Sequence, residues 1–147
     1  LAMSEYGGLS RWNIDGTFLE KNQFERPGKD ARFVLVPEAQ SHGFVIARFS
    51  GGKLDFFKPN GSKMGESIPA TGELPEIQYY QFGGGKEVLL LNYQKTGRTY
   101  VYNGAQKKLT EKPVENRYPV SLLFNSRTLK YTLYTTTEKG IIKVILK

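Results

Sequence analysis

Short apolar runs that recur at a fixed interval constrain this chain more than any single residue does. "RFVLV" (32–36) stands 44 residues before "EIQYY" (76–80), and "FVIARF" (44–49) stands the same 44 before "VLLLNY" (88–93). A further step of 43 leads from "VLLLNY" to "YTLYTT" (131–136) and from Gly97 to Gly140, and residues 99–102 then fall in line with 142–145. The runs are strand-sized and bounded by Gly, Asn, Pro, Ser or Lys, as strands between turns should be. No window of about a dozen residues spaces its apolar positions as an amphipathic helix does, and Gly or Pro interrupts the candidates. The chain is therefore expected to be all-β, with nine or ten short strands. "VLLL" is apolar without alternation and predicts a strand buried on both faces.

The interval divides residues 9–147 into one repeat domain with units at about 31–64, 75–109 and 119–147, each reading strand, turn, strand, Gly-bearing turn, strand. Residues 1–8 read as a flexible leader, and residues 9–20 as the tail of an earlier unit. A small antiparallel sheet cannot bury both faces alone, so a repeated one is expected to stack against its neighbours. On this pattern the chain loosely resembles a β-propeller-like repeat protein of about three blades, each of three or four strands. It has neither the Gly-His and Trp-Asp dipeptides of WD40 blades nor the paired glycines of kelch blades. The resemblance implies a rigid platform for partners. A β-sandwich with evenly spaced hairpins is the alternative. An exposed last strand, "IIKVILK", predicts closure by "SRWNI" joining the final sheet, with Trp12 packed in a blade. Completion by a second copy, or a stack of three sheets, are the other solutions.

"WNIDGTFL" (12–19) and "FKPNGSKM" (57–64) repeat one another 45 residues apart, and "YNG" (102–104) is a shortened third copy. An Asp or Asn beside Gly could belong to a calcium loop, but acidic residues are missing from the ligand positions and Lys63 intrudes. The pattern reads instead as a reversal after each third strand, with Leu19 and Met64 packing inward.

Chemistry-bearing residues are sparse. There is no Cys, which removes thiolate sites and disulfides and fits either a cytoplasmic or a bacterial envelope location. Leu1 in place of Met suggests a start downstream of a removed segment, which would take any targeting signal with it. No apolar run reaches the length of a membrane span. His42, the one histidine, lies in a turn and has no partner for an imidazole–thiolate pair or a zinc cluster. Asp15, Asp30, Asp55, Glu66, Glu73, Glu76 and Glu87 are the carboxylates that could pair for glycoside hydrolysis, though none forms a recognisable pair. Asp55 alternates with Leu54 and Phe56 and is expected to face solvent. "FGGGKE" (82–87) lacks the hydroxyl residue and helix of a phosphate loop and reads as a hairpin turn. No catalytic residue, metal site or cofactor is assigned.

Charge is unevenly placed. Residues 1–84 carry 9 basic and 10 acidic side chains, and residues 85–147 carry 12 and 4. Lys95, Arg98, Tyr100, Tyr102, Lys107, Lys108, Lys130 and Tyr131 interleave cations with rings, as a surface for an anionic polymer or a sugar would. The expected function is a non-enzymatic β-repeat platform for a protein partner, self-association as a homodimer, or envelope assembly. Binding of nucleic acid or an acidic glycan through the basic half is the alternative, and a glycan-acting hydrolase is a third reading.

Overall fold

The computed structural model describes residues 2–3, 8–23, 30–70, 72–118 and 120–146. All regular structure among them is strand. An N-terminal sheet contains β1 (Ala2–Met3), β2 (Gly8–Trp12) and β3 (Phe18–Gln23) in that order. The first four-stranded sheet is β4 (Arg32–Pro37), β5 (Phe44–Ser50), β6 (Lys53–Phe57) and β7 (Lys63–Pro69). The second is β8 (Glu76–Gln81), β9 (Glu87–Tyr93), β10 (Arg98–Asn103) and β11 (Val114–Glu115). The third has β12 (Ser121–Asn125), β13 (Lys130–Thr137) and β14 (Gly140–Leu146). Each is an antiparallel meander of sequence neighbours, and none closes on itself. Among the described residues no helix is long and apolar enough to cross a membrane.

Strand alternation explains how the sheets meet. In β9, Leu89 and Leu91 point one way into a core with Val36, Val45, Ala47, Leu54, Phe56 and Met64 of the first sheet. Val88 and Leu90 point the other way into a core with Leu122, Leu133 and Leu146 of the third. All four β9 side chains are fully buried, so the unbroken apolar run is the mark of a strand between two packed layers. Backbone contacts reinforce both junctions. Ala39 N donates to Tyr79 O at 2.9 Å between the first and second sheets, and Arg117 N donates to Thr136 O at 2.8 Å beside the third.

Three turns, after β2, β6 and β10, share one geometry at intervals of 45 residues; the first follows the second strand of its sheet, not the third. Asn13 N donates to Thr17 O, Lys58 N to Ser62 O, and Asn103 N to Lys107 O, at 2.8, 2.9 and 2.9 Å. Gly16, Gly61 and Gln106 N donate back to Asn13, Lys58 and Asn103 O. These same residues take the left-handed conformation, with φ of 85°, 88° and 58°. Asp15 Oδ1 accepts from Thr17 N and Asn60 Oδ1 from Ser62 N, so the acidic or amide side chain locks the reversal. In the third copy Asn103 Oδ1 accepts from Ala105 N and Lys107 N. The loop "FGGGK" also forms a hairpin turn, with Gly83, Gly84 and Gly85 all at positive φ and Phe82 N bonded to Lys86 O at 2.9 Å.

Several expectations are corrected. β2 pairs with β1 and β3 and not with the last sheet, because the turn at Asn13–Thr17 folds Phe18–Gln23 back along it. β14 pairs only with β13 among the described residues. Trp12 is 48% exposed and makes an edge contact with Phe18 across its own hairpin, so it is not a packed blade residue. Met64 is buried as expected, but Leu19 is 44% exposed. Within the leader read as flexible, Ala2–Met3 is strand and Gly8 begins β2, while residues 1 and 4–7 lie outside the described residues.

Candidate functional site

Asp55 is the clearest surprise. It was expected to face solvent, but it is 5% exposed and holds Arg48 Nη2 at 2.9 Å and Lys63 Nζ at 2.8 Å. Ser67 Oγ donates at 2.6 Å to Oδ1, the oxygen that Lys63 also meets, while Arg48 takes Oδ2. Burial pushes this carboxyl up, but the bonds from Lys63, Ser67 and Arg48 together outweigh it and hold the group at about 2. Arg48 and Asp55 are cross-strand partners in β5 and β6, on the face opposite Ala47, Leu54 and Phe56. Alternation within "KLDFF" is real, but both of its faces are covered. Both carboxylate oxygens are held by structural partners, so the group braces the sheet.

A cleft of about 590 Å³ lies between the first and second sheets at the end marked by the β9–β10 turn. β7 supplies Glu66, Ser67, Ile68 and Pro69, and the β7–β8 connection supplies Glu73. Arg98, Tyr100 and Tyr102 come from β10, and Tyr93 from the end of β9. Arg98 and Tyr93 are register partners, as are Tyr100 and Leu91, so alternation brings the three rings to the same side of the second sheet. Tyr93 and Tyr100 meet edge to face at 5.7 Å, and Lys108 Nζ sits 5.5 Å above the Tyr100 ring. Burial pushes the phenols of Tyr93 and Tyr102 up from their ordinary value. Glu73 Oε1 accepts a long hydrogen bond from Lys95 N at 3.4 Å.

Gln106 closes the floor of this cleft. Only 6% of it is exposed; its Nε2 donates to Gly104 O at 2.8 Å, while its Oε1 is buried and accepts no hydrogen bond. It lies against Gly65 of β7, itself at φ 51°, where a Cβ would overlap Gln106 Oε1 and approach the Ala105 carbonyl carbon to 2.5 Å. Two residues in left-handed backbone thus let the two sheets touch here.

Of the cation and ring positions singled out in the sequence, the structure brings Arg98, Tyr100, Tyr102 and Lys108 into the cleft. Lys95 and Lys107 occupy turns on the second sheet, with Lys107 exposed. Lys130 and Tyr131 belong to the third sheet, where Tyr131 packs among Phe82 and Phe124 at 5.8 and 5.0 Å and shows no free ring. Tyr102 is buried. The rings therefore do not form one exposed stacking face. Glu66 and Glu73 share the cleft, while Asp15, Asp30 and Asp55 each bond within their own turn or sheet. Glu87 and Glu38 flank Tyr79 at the opposite end of the same sheet junction, where burial first and these carboxylates next push its phenol up. His42 lies exposed in the β4–β5 turn as expected and lines this second, shallower hollow of about 410 Å³. No cluster of three metal-ligating side chains occurs among the described residues.

Gln106 and Glu38 went unnoticed in the sequence. The signal for Gln106 was available: counting 45 from Gly16 and Gly61 lands on it, so a glutamine stands where two sister turns carry glycine.

Compared with protein-family models, with curated proteins and with solved structures, the chain matches none, so its function has to be argued from this geometry.

Proposed function

We propose that this protein is a non-enzymatic β-repeat platform, built as a propeller-like stack of blades, that docks a protein partner on the outer face of its third sheet. The observation that carries the reading is a row of outward apolar side chains. Leu123, Ile145 and Ile141 are 55%, 56% and 77% exposed, with Tyr134 beside them. Register places Leu123, Thr132 and Ile145 side by side across all three strands. The equivalent layer of the second sheet is covered on both sides, and an uncovered sheet face is an interaction surface by default.

The charge on this face selects the partner. Lys130 and Lys143 share it, and the single acidic residue of the segment, Glu138, is held by Arg117 at 3.0 Å in the turn. A second copy would set lysines against lysines. The occupant is a protein with an apolar face rimmed by carboxylates. The anionic-polymer alternative draws less support, because the cations of the main cleft alternate with Glu66 and Glu73.

The test is a photo-crosslinking side chain at Thr132, with one at exposed Lys53 as control. One dominant adduct from position 132 is expected, and the purified adduct partner should bind about tenfold more weakly to Ile145→Glu and to Lys143→Glu. Adducts of the chain with itself, the same adducts from both positions, or a partner indifferent to these substitutions would overturn the reading.

A further inference from the structure

We propose that β14 receives an extended segment of the protein partner along its free edge, as a fourth strand of the third sheet, with an Asp or Glu of that segment opposite Lys143. This rests on the docking of a protein at the third sheet and names the element that docks.

The three stacked sheets differ in strand count. The first and second each continue past their third strand into a fourth, β7 and β11, whereas the third ends at β14 among the described residues. The fourth strands have a packing role. β7 lays Met64 and Ile68 into the core beside β6, and Val114 of β11 packs beside β10. With these in place, Leu54 and Phe56 of β6 and Thr99 and Val101 of β10 are fully buried. In β14, Val144 and Leu146 point into the core shared with the second sheet. Alternation puts Ile142 on the same side, yet it is 40% exposed. An added strand would cover it.

Edge strands carry unpaired N–H and C=O groups and are usually blunted by shortness, Pro, a bulge or several charges. β7 ends on Pro69 and pairs with β6 through a bulge, and β11 has two residues. β14 has seven residues in unbroken register with β13, no Pro and one charge, Lys143. Such an edge is the template that strand addition uses, main-chain bonds giving affinity and alternate side chains giving selectivity. Lys143 stands at the centre of the strand. A second copy pairing edge to edge in full register, in either direction, would set lysine against lysine. The nearest acidic residue in the sequence, Glu138, is held by Arg117 at 3.0 Å. A carboxylate from the partner therefore completes the pair, flanked by apolar residues against Ile141, Ile142, Val144 and Ile145.

Selection of random nine-residue peptides displayed on phage, against the whole chain, tests this. Enriched peptides should be rich in Val, Ile and Thr with Asp or Glu at one shared position. Selection against Lys143→Glu should turn that position to Lys or Arg. A synthetic copy of the most enriched peptide should slow hydrogen exchange of β14 edge amides by at least about tenfold. It should bind Lys143→Glu at least about tenfold more weakly, at an unchanged melting temperature because Lys143 is exposed. The proposal is overturned if no peptide is enriched, if the acidic position survives Lys143→Glu, or if the peptide binds without slowing β14 amides. It also falls if those amides slow in the free chain as protein concentration rises, which would make the occupant a second copy. A dominant adduct from Thr132 without slowed β14 amides leaves the docking face standing and removes the added strand. Slowed amides without that adduct do the reverse.

Discussion

Arg48 Nη2 donates to Asp55 Oδ2 at 2.9 Å between paired positions of β5 and β6, and both side chains are about nine-tenths buried. Arg48 also lies 5.0 Å over the Phe57 ring, so the pair is set in an apolar frame. Because the folded carboxyl titrates at about 2, below its ordinary 3.8, its contribution to stability is present above pH 4 and is lost as the pH falls through about 2. The difference is worth roughly 2 kcal/mol. Denaturant unfolding measured between neutral pH and pH 2 should show that loss, and Asp55→Asn should flatten it. At neutral pH Asp55→Asn should cost about 3 kcal/mol, since it leaves a buried guanidinium without its counter-charge.

A second buried polar row ties the second sheet to the third. Thr99 Oγ1 donates to Asn92 Oδ1 at 2.7 Å, Asn92 Nδ2 to Gln78 Oε1 at 2.8 Å, and Gln78 Nε2 to Val120 O at 2.9 Å. Removing the middle member strands both neighbours, so Asn92→Ala should destabilise by roughly 2–4 kcal/mol, more than Thr99→Val at about 1. A double-mutant cycle on Asn92 and Thr99 should return a coupling of about 1 kcal/mol.

Two glycines of similar φ should respond differently to alanine. At Gly65 the new Cβ meets the backbone of Ala105, which cannot step aside, and a loss of about 3 kcal/mol or more is expected. At Gly84 nothing lies within 4 Å, so only the conformational cost of about 1 kcal/mol remains. Chemical denaturation of the two variants side by side checks the contrast.

The exposed apolar row of the third sheet should be free of folding duties. Ile145→Thr is expected to change stability by less than about 0.5 kcal/mol, while Leu133→Ala on the other face of the same sheet, fully buried, should cost about 2–5. Equal losses at the two positions would mean that Ile145 is covered in solution.

Much of the architecture was legible because it rests on period and alternation, which sequence carries directly. The starts of β5, β9 and β13, the two-sided burial of residues 88–91 and the chain reversals at "DGT" and "NGS" all follow from local pattern. Asp55 was misread because alternation says that a residue faces away from Leu54, not what lies on that side. Trp12 was misread because pairing between distant strands is decided by turn geometry nearer at hand. The cleft could be only half seen. Arg98, Tyr100, Tyr102 and Lys108 are close in sequence and drew notice together, but Glu66, Ser67 and Glu73 reach them only through the stacking of two sheets. Grouping Lys130 and Tyr131 with them failed for the same reason: spacing along the chain does not record which sheet a residue joins.

The alternating sides of β9 have a consequence for how the protein comes apart. Leu89 and Leu91 belong to one core and Val88 and Leu90 to the other, so neither outer sheet can peel away without wetting a strand on which its counterpart depends. The first three sheets after residue 30 should therefore melt in a single transition instead of one after another. The amide protons of residues 88–91 should exchange with solvent only when the whole stack opens, which makes this strand the last clock to stop.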